Sequence, residues 1–120
     1  MNRESSRDLG TSGENRAAAF LAERGFDIIG RNFRWSKTGE IDIIARKGSL
    51  LIFVEVKSRL SEKFGGALYS ISRKKKKSLK TTARAFLSLH PEYDRPDYMC
   101  RFDLISIEDD AIECIEDMFR

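Results

Sequence analysis

The stretch Gly39-Glu-Ile-Asp-Ile-Ile-Ala-Arg-Lys-Gly-Ser-Leu-Leu-Ile-Phe-Val-Glu-Val-Lys57 decides the fold. Two apolar blocks rich in β-branched residues, Glu40–Ala45 and Leu50–Lys57, are parted by Lys47-Gly-Ser49, which has the composition of a turn. Together they read as two strands of an antiparallel hairpin. Upstream, Phe26-Asp-Ile-Ile29 opens another strand that continues towards Phe33 and Trp35, and Ser36-Lys-Thr-Gly39 turns the chain into the hairpin. Further back, Ala17, Phe20 and Leu21 recur on one face of a helix that starts from Thr11 or Ser12 as cap and stops at Gly25. Residues 1–10 are polar and unpatterned, and are expected to form a flexible arm before a single domain over 11–120.

Downstream, Ser61–Gly66 reads as a loop and about Ser70–His90 as a second helix, with Ile71, Leu79, Ala83, Phe86 and Leu87 as core positions. Pro91 and Pro96 end it. Arg101–Ile107 is a further strand, Glu108-Asp-Asp110 a turn, and Ala111–Phe119 a last short strand. The expected architecture is α/β, a mixed sheet flanked by helices in the order α-β-β-β-α-β(β).

A length of 120 residues suits one domain with one core, and the 41% hydrophobic content, arranged in periodic blocks, argues against disorder. The longest apolar run, Leu50–Val54, is far short of the ~20 residues that a spanning helix needs. No apolar stretch follows the polar N-terminus, so no secretory signal is read there and a cytoplasmic location is expected. Cys100 and Cys114 fall in no metal or redox spacing and are expected to stay reduced.

The net charge of +3 hides an asymmetry. Residues 1–90 carry 19 basic and 9 acidic side chains, whereas 91–120 carry 3 basic and 10 acidic. Arg73 to Arg84 holds seven positive charges and no negative one. DNA or RNA would be drawn to such a run, because each neutralised phosphate releases condensed counterions. A solvated helix face would have the same composition.

Three charged positions are harder to assign to folding alone. Asp42 interrupts an apolar strand, and Glu55 and Lys57 end the most apolar one. Residues two apart on a strand share a face, so Glu55 and Lys57 project alongside Leu51 and Phe53. A charge among large apolar side chains costs several kcal/mol unless it is paired or holds a cation. Asp42, on the neighbouring strand, can bring a second carboxylate close to Glu55. Two carboxylates and the Val56 carbonyl between Glu55 and Lys57 make an all-oxygen donor set suited to Mg²⁺ or Mn²⁺. A lysine beside it can orient water or stabilise charge on a phosphate, as metal-dependent phosphodiester hydrolysis requires. The same residues also admit a plain cross-strand network of ion pairs.

Gly39-Glu-Ile-Asp-Ile-Ile-Ala45 followed by Phe53-Val-Glu-Val-Lys-Ser-Arg59 resembles the YraN-type family of the restriction-endonuclease-like, or PD-(D/E)XK, superfamily, similar to archaeal Holliday-junction resolvases. Gly13-Glu14 with Ala17, Ile71-Ser72 with Lys75 and Leu79, and Arg101-Phe-Asp103 match the family's flanking motifs, so that the resemblance covers about 10–120. Ile41 stands where the superfamily pattern has proline. The resemblance implies Asp42 and Glu55 as metal ligands, Lys57 as the catalytic lysine, and Glu14 as a further acid that binds or orients the metal and its water. It also implies that Lys75 contacts the nucleic-acid backbone, beside Arg73, Lys74 and Lys77 of the basic run. Without it, Glu14 is simply an acid favoured in the first turn of a helix.

Other residues narrow the choice. Phe33 and Trp35 interleave with Arg31 and Arg34, a cluster that suits either base stacking or edge packing. Glu40 is read as exposed or as an outer partner of the acids. His90 stands at a helix end with no partner for zinc, Ser58 and Ser61 have no nearby histidine, and no GxxxxGK phosphate loop is present.

The expectation is a Mg²⁺- or Mn²⁺-dependent nuclease acting on branched or structured DNA. A symmetric dimer would suit a junction with two equivalent strands. The alternatives are a non-catalytic nucleic-acid-binding module on the same fold, and a protein-interaction scaffold using the acidic C-terminal part.

Overall fold

The computed structural model describes residues 6–59 and 71–119. Strands β2 (Gly39–Lys47) and β3 (Leu50–Arg59) form the expected hairpin, closed by the pair Lys47 and Leu50 around Gly48 at φ +59°. β1 (Asp27–Trp35) pairs antiparallel with β2. β4 (Met99–Glu108) lies parallel to β3 and carries β5 (Ala111–Ile115) antiparallel on its far side. The sheet order is β1-β2-β3-β4-β5. A parallel neighbour demands a crossover, and helix α2 (Arg73–Leu89) lies within the connection from β3 to β4. The order α-β-β-β-α-β-β is the expected one.

Period-two alternation gives the sheet two apolar faces. One packs Ile43, Ala45, Ile52, Val54, Ile105 and Ile107 against Ala17 and Leu21 of helix α1 (Ser6–Glu23). The other packs Ile41, Ile44, Leu51 and Phe53 against Leu79, Ala83 and Phe86 of α2. Ile41 and Ile43 are two apart yet join opposite clusters, so the alternation breaks at Asp42. The ladder between β2 and β3 stops there too, its last pair being Ile43 and Val54.

α1 begins at Ser6, not Thr11, so half of the segment read as an arm is helical. At the other end the Gly25 N–H donates to the Ala22 carbonyl and the Phe26 N–H to that of Leu21, with Gly25 at φ +89°, closing the helix as its sequence indicates. β5 stops at Ile115, four residues before the expected Phe119, because the chain bends at Asp117 (φ +55°), whose N–H donates to Asp103 Oδ1 at 2.9 Å. The Ser61–Gly66 loop lies outside the described residues.

Candidate active site

Asp42 sits where β2 parts from β3. With no ladder partner there, the Val56 N–H donates to Asp42 Oδ2 at 2.8 Å. The Asp42 carboxyl also faces that of Glu55 at close range. Burial and the adjacent Glu55 charge push the Asp42 carboxyl up to about 8, the Val56 N–H opposes them, and Glu14 adds a smaller upward push. Two carboxyls this close hold a proton between them, or a cation in its place.

Glu55 is 5% exposed, projects on the same side as Leu51 and Phe53, and meets two lysines. Lys57 Nζ lies 3.8 Å from Glu55 Oε2 and Lys75 Nζ lies 3.2 Å from it. Lys57 comes from the same strand. Lys75 comes from the first turn of α2, which Ser72 caps by accepting the Lys75 N–H at 3.0 Å. A close approach of Gly39 to α2 helps to seat this helix: a Cβ at Gly39 would overlap Ser78 Oγ and crowd Thr82. Ser78 Oγ also donates to the Thr38 carbonyl. The start of β2 and the start of α2 are thereby clamped together, one bringing Asp42 and the other Lys75.

Glu14 approaches from α1. Its neighbour Gly13 packs so closely on β3 that a Cβ would overlap the Ser58 side chain. Glu14 Oε1 lies 3.6 Å from Arg31 Nη2, and Arg31 also donates to Asn15 Oδ1 at 2.8 Å. Glu14 is therefore near Asp42 but engaged by an arginine. No group of three or more acidic, histidine or cysteine side chains is gathered for a metal among the described residues. The nucleus of the site is the Asp42–Glu55 pair, and Val56 is seen to enter it through its N–H.

The basic run occupies the start of α2. Arg73, Lys74 and Lys77 are exposed, and the first turn carries no acid to match the positive end of the helix. Cations at that end weaken a helix rather than support it. Of the residues expected to contact nucleic acid, Lys75 alone turns inward to Glu55. The sequence held one signal for this, Ser72 three residues before Lys75, which fixes where the helix begins.

Several other expectations resolve plainly. Phe33 packs edge-on against Phe86, with ring centroids 5.4 Å apart, whereas Trp35 is 42% exposed. Glu40 is held by Arg34 at 2.6 Å. His90 closes α2 through its backbone N–H and stacks on Phe86 at 4.3 Å. Asp103, not singled out beyond its motif, is 1% exposed and takes two hydrogen bonds from Arg101, both 2.8 Å. Cys100 and Cys114 are both free thiols. No helix among the described residues is long and apolar enough to cross a membrane.

The family model of the uncharacterised protein family UPF0102 matches residues 13–107, a span running from the glycine against β3 to the end of the β4 core. The chain belongs to UPF0102. It is similar to a UPF0102 protein of Thermodesulfovibrio yellowstonii, 41% identical over 112 residues, 93% of this chain and 96% of that protein. A UPF0102 protein of Shewanella loihica is 42% identical over 110 residues, 92% of either chain. One from Caldicellulosiruptor saccharolyticus is 43% identical over 101 residues, 84% of this chain and 82% of its own. The UPF0102 match takes in every residue of the Asp42–Glu55 site and the whole of α2.

Proposed function

We propose that this UPF0102 protein is a divalent-metal-dependent nuclease acting on branched or structured DNA, related in mechanism to restriction-endonuclease-like enzymes and junction resolvases. The observation that carries the reading is the close Asp42–Glu55 pair, with the Val56 N–H on Asp42 and Lys57 and Lys75 on Glu55. A partly buried acid raised to about 8 is poorly placed for stability, and such perturbed groups collect at functional sites. The donor set fits a hard cation: two carboxylates, with the Val56 carbonyl as a third oxygen and Glu14 reachable from α1. Mg²⁺ or Mn²⁺ held there would supply charge neutralisation on the scissile phosphate and a more acidic water.

The chain's own residues do the rest. Asp42 and Glu55 fix the position of the phosphate-binding charge, and the Val56 N–H fixes Asp42. Lys57 and Lys75 neutralise Glu55 from the strand and from the helix, and either ammonium would be at hand to stabilise charge developing on a phosphate held there. Arg73, Lys74 and Lys77 hold the backbone without reading sequence. The test is a cleavage assay over linear, flapped and four-way DNA with Mg²⁺, Mn²⁺ or EDTA. Metal-dependent cutting of a branched form is expected. Binding without cutting under every metal would overturn the reading in favour of a non-catalytic DNA-binding module, which the exposed basic turn of α2 would still serve.

A further inference from the structure

Beside the carboxylate pair, on the same side of the sheet, runs a groove that the chemistry above does not use. Its floor is a row of three rings: Phe53 lies 5.4 Å from Phe102, and Phe102 is stacked on Phe119 at 4.8 Å, centroid to centroid. Two adjoining cavities, about 320 and 440 Å³, share Cys100 and Phe102. One wall is α2, from which Lys76, Lys80 and Arg84, spaced four residues apart, fall on one flank. Lys76 and Lys80 stand over the Phe119 ring at 5.9 and 5.5 Å. Phe53 is two residues from Glu55 on the same side of β3, a rise of about 7 Å, so the groove lies one side-chain step along the strand from the site. Lys76 to Arg84 spans about 12 Å of helix, the rise of three to four stacked nucleotides.

We infer that this groove binds the unpaired single strand of a branched DNA, its bases against Phe119, the end ring of the row, and its phosphates on Lys76, Lys80 and Arg84. The inference rests on the nuclease reading and names its substrate class: a duplex carrying a single-stranded arm. Rings serve bases of any sequence, and cations at helical spacing serve a backbone. The acid in the lining, Asp117, lies at the Phe119 end, away from Arg84. An apolar peptide would gain nothing from the three cations, whereas a DNA strand uses both walls.

The experiment is fluorescence anisotropy in EDTA with a labelled blunt duplex and the same duplex carrying a ten-nucleotide arm. Each protein is read as its own ratio of affinities. The wild-type protein should prefer the armed duplex about tenfold or more, the worth of one stacked base. Phe119→Leu, which keeps an apolar side chain but removes the ring, should bring the ratio towards one. So should Arg84→Glu, an exposed position that leaves the core intact. Thermal melts establish that both variants are folded. Equal wild-type affinities for the two duplexes would overturn the inference, and so would a tenfold preference that both folded variants keep. So would a self-association in sedimentation that Phe119→Leu abolishes, since a second copy would then fill the groove. Cleavage is scored separately with Mg²⁺. An armed-duplex preference without any cutting would refute the nuclease reading and leave the groove assignment standing.

Discussion

Lys75 Nζ lies 3.2 Å from Glu55 Oε2, closer than Lys57 Nζ at 3.8 Å, so the helix rather than the strand supplies the nearer cation to the buried acid. Either lysine can yield to a metal, but only Lys75 ties the basic helix to the carboxylates. Lys75→Ala should therefore impair cleavage while changing the salt dependence of DNA binding less than Lys74→Ala or Lys77→Ala does. Replacing Lys74 and Lys77 together should flatten the plot of log affinity against log salt by about 0.9 per lost phosphate contact on duplex DNA. Titration across 50–300 mM salt checks both, and an unchanged slope would make the run a solvated face.

Asp42 sets a distinctive pH dependence. Its folded value, about 8, lies above the 3.8 of the free side chain, so the folded protein keeps a proton that the unfolded chain has lost. Its contribution to stability is then fully present below about pH 4 and is lost as pH rises through 8. Metal-free protein should melt at progressively lower temperature across that window, and millimolar Mg²⁺ should reverse the trend at the alkaline end, where the cation no longer competes with the proton. Thermal melts from pH 5 to 9, with Mg²⁺ and with EDTA, decide it. A pH-independent difference between the two series would contradict a shared site.

Asp42→Asn keeps the shape, removes the charge and leaves the oxygen that receives the Val56 N–H. On the nuclease reading, cleavage should fall by at least about a hundredfold, because a metal held there would supply several kcal/mol of transition-state stabilisation. Metal-free DNA binding should hold at neutral pH, where Asp42 is itself protonated, and tighten only above about pH 8, where its carboxylate would repel phosphate. The downward slope of stability with pH should also flatten, and single-turnover assays with parallel melts read all three.

Arg101 is the partner of the most buried carboxylate outside the site. Arg101→Met would leave Asp103, 1% exposed, without its bidentate cation, and should cost about 3–5 kcal/mol in urea unfolding. Arg101→Met together with Asp103→Leu should recover much of that loss. If the double variant is no more stable than the single, the pair is not what Arg101 contributes.

Much of this was legible because a strand repeats every two residues. That period places Glu55 and Lys57 together, beside Phe53, and the hairpin puts Asp42 on the neighbouring strand. The break in alternation at Asp42 was not legible, since Ile41 and Ile43 are chemically identical and only packing separates their faces. The inward turn of Lys75 was legible only in so far as Ser72 marks where the helix begins. Among five consecutive cations nothing in the residue type distinguishes one, and the choice follows from where Gly39 lets α2 settle. The early start of α1 was hidden by a polar segment that lacks an apolar stripe. The extent of the last strand depended on Asp103, a distant acid that captures the Asp117 N–H and ends the pairing.

The parallel pairing of β3 with β4 has a consequence for how the protein comes into being. The hairpin carrying Asp42 and Glu55 is built from local contacts and can close early, whereas Lys75 arrives only with the crossover that α2 completes. Non-local strand pairing is the slow part of folding. A growing chain therefore possesses its acids before it possesses the lysine and the basic turn that would draw DNA to them. Docking of one helix both covers a face of the sheet and brings Lys75 to Glu55, so on the proposed reading a chain still being made would lack part of its cutting site.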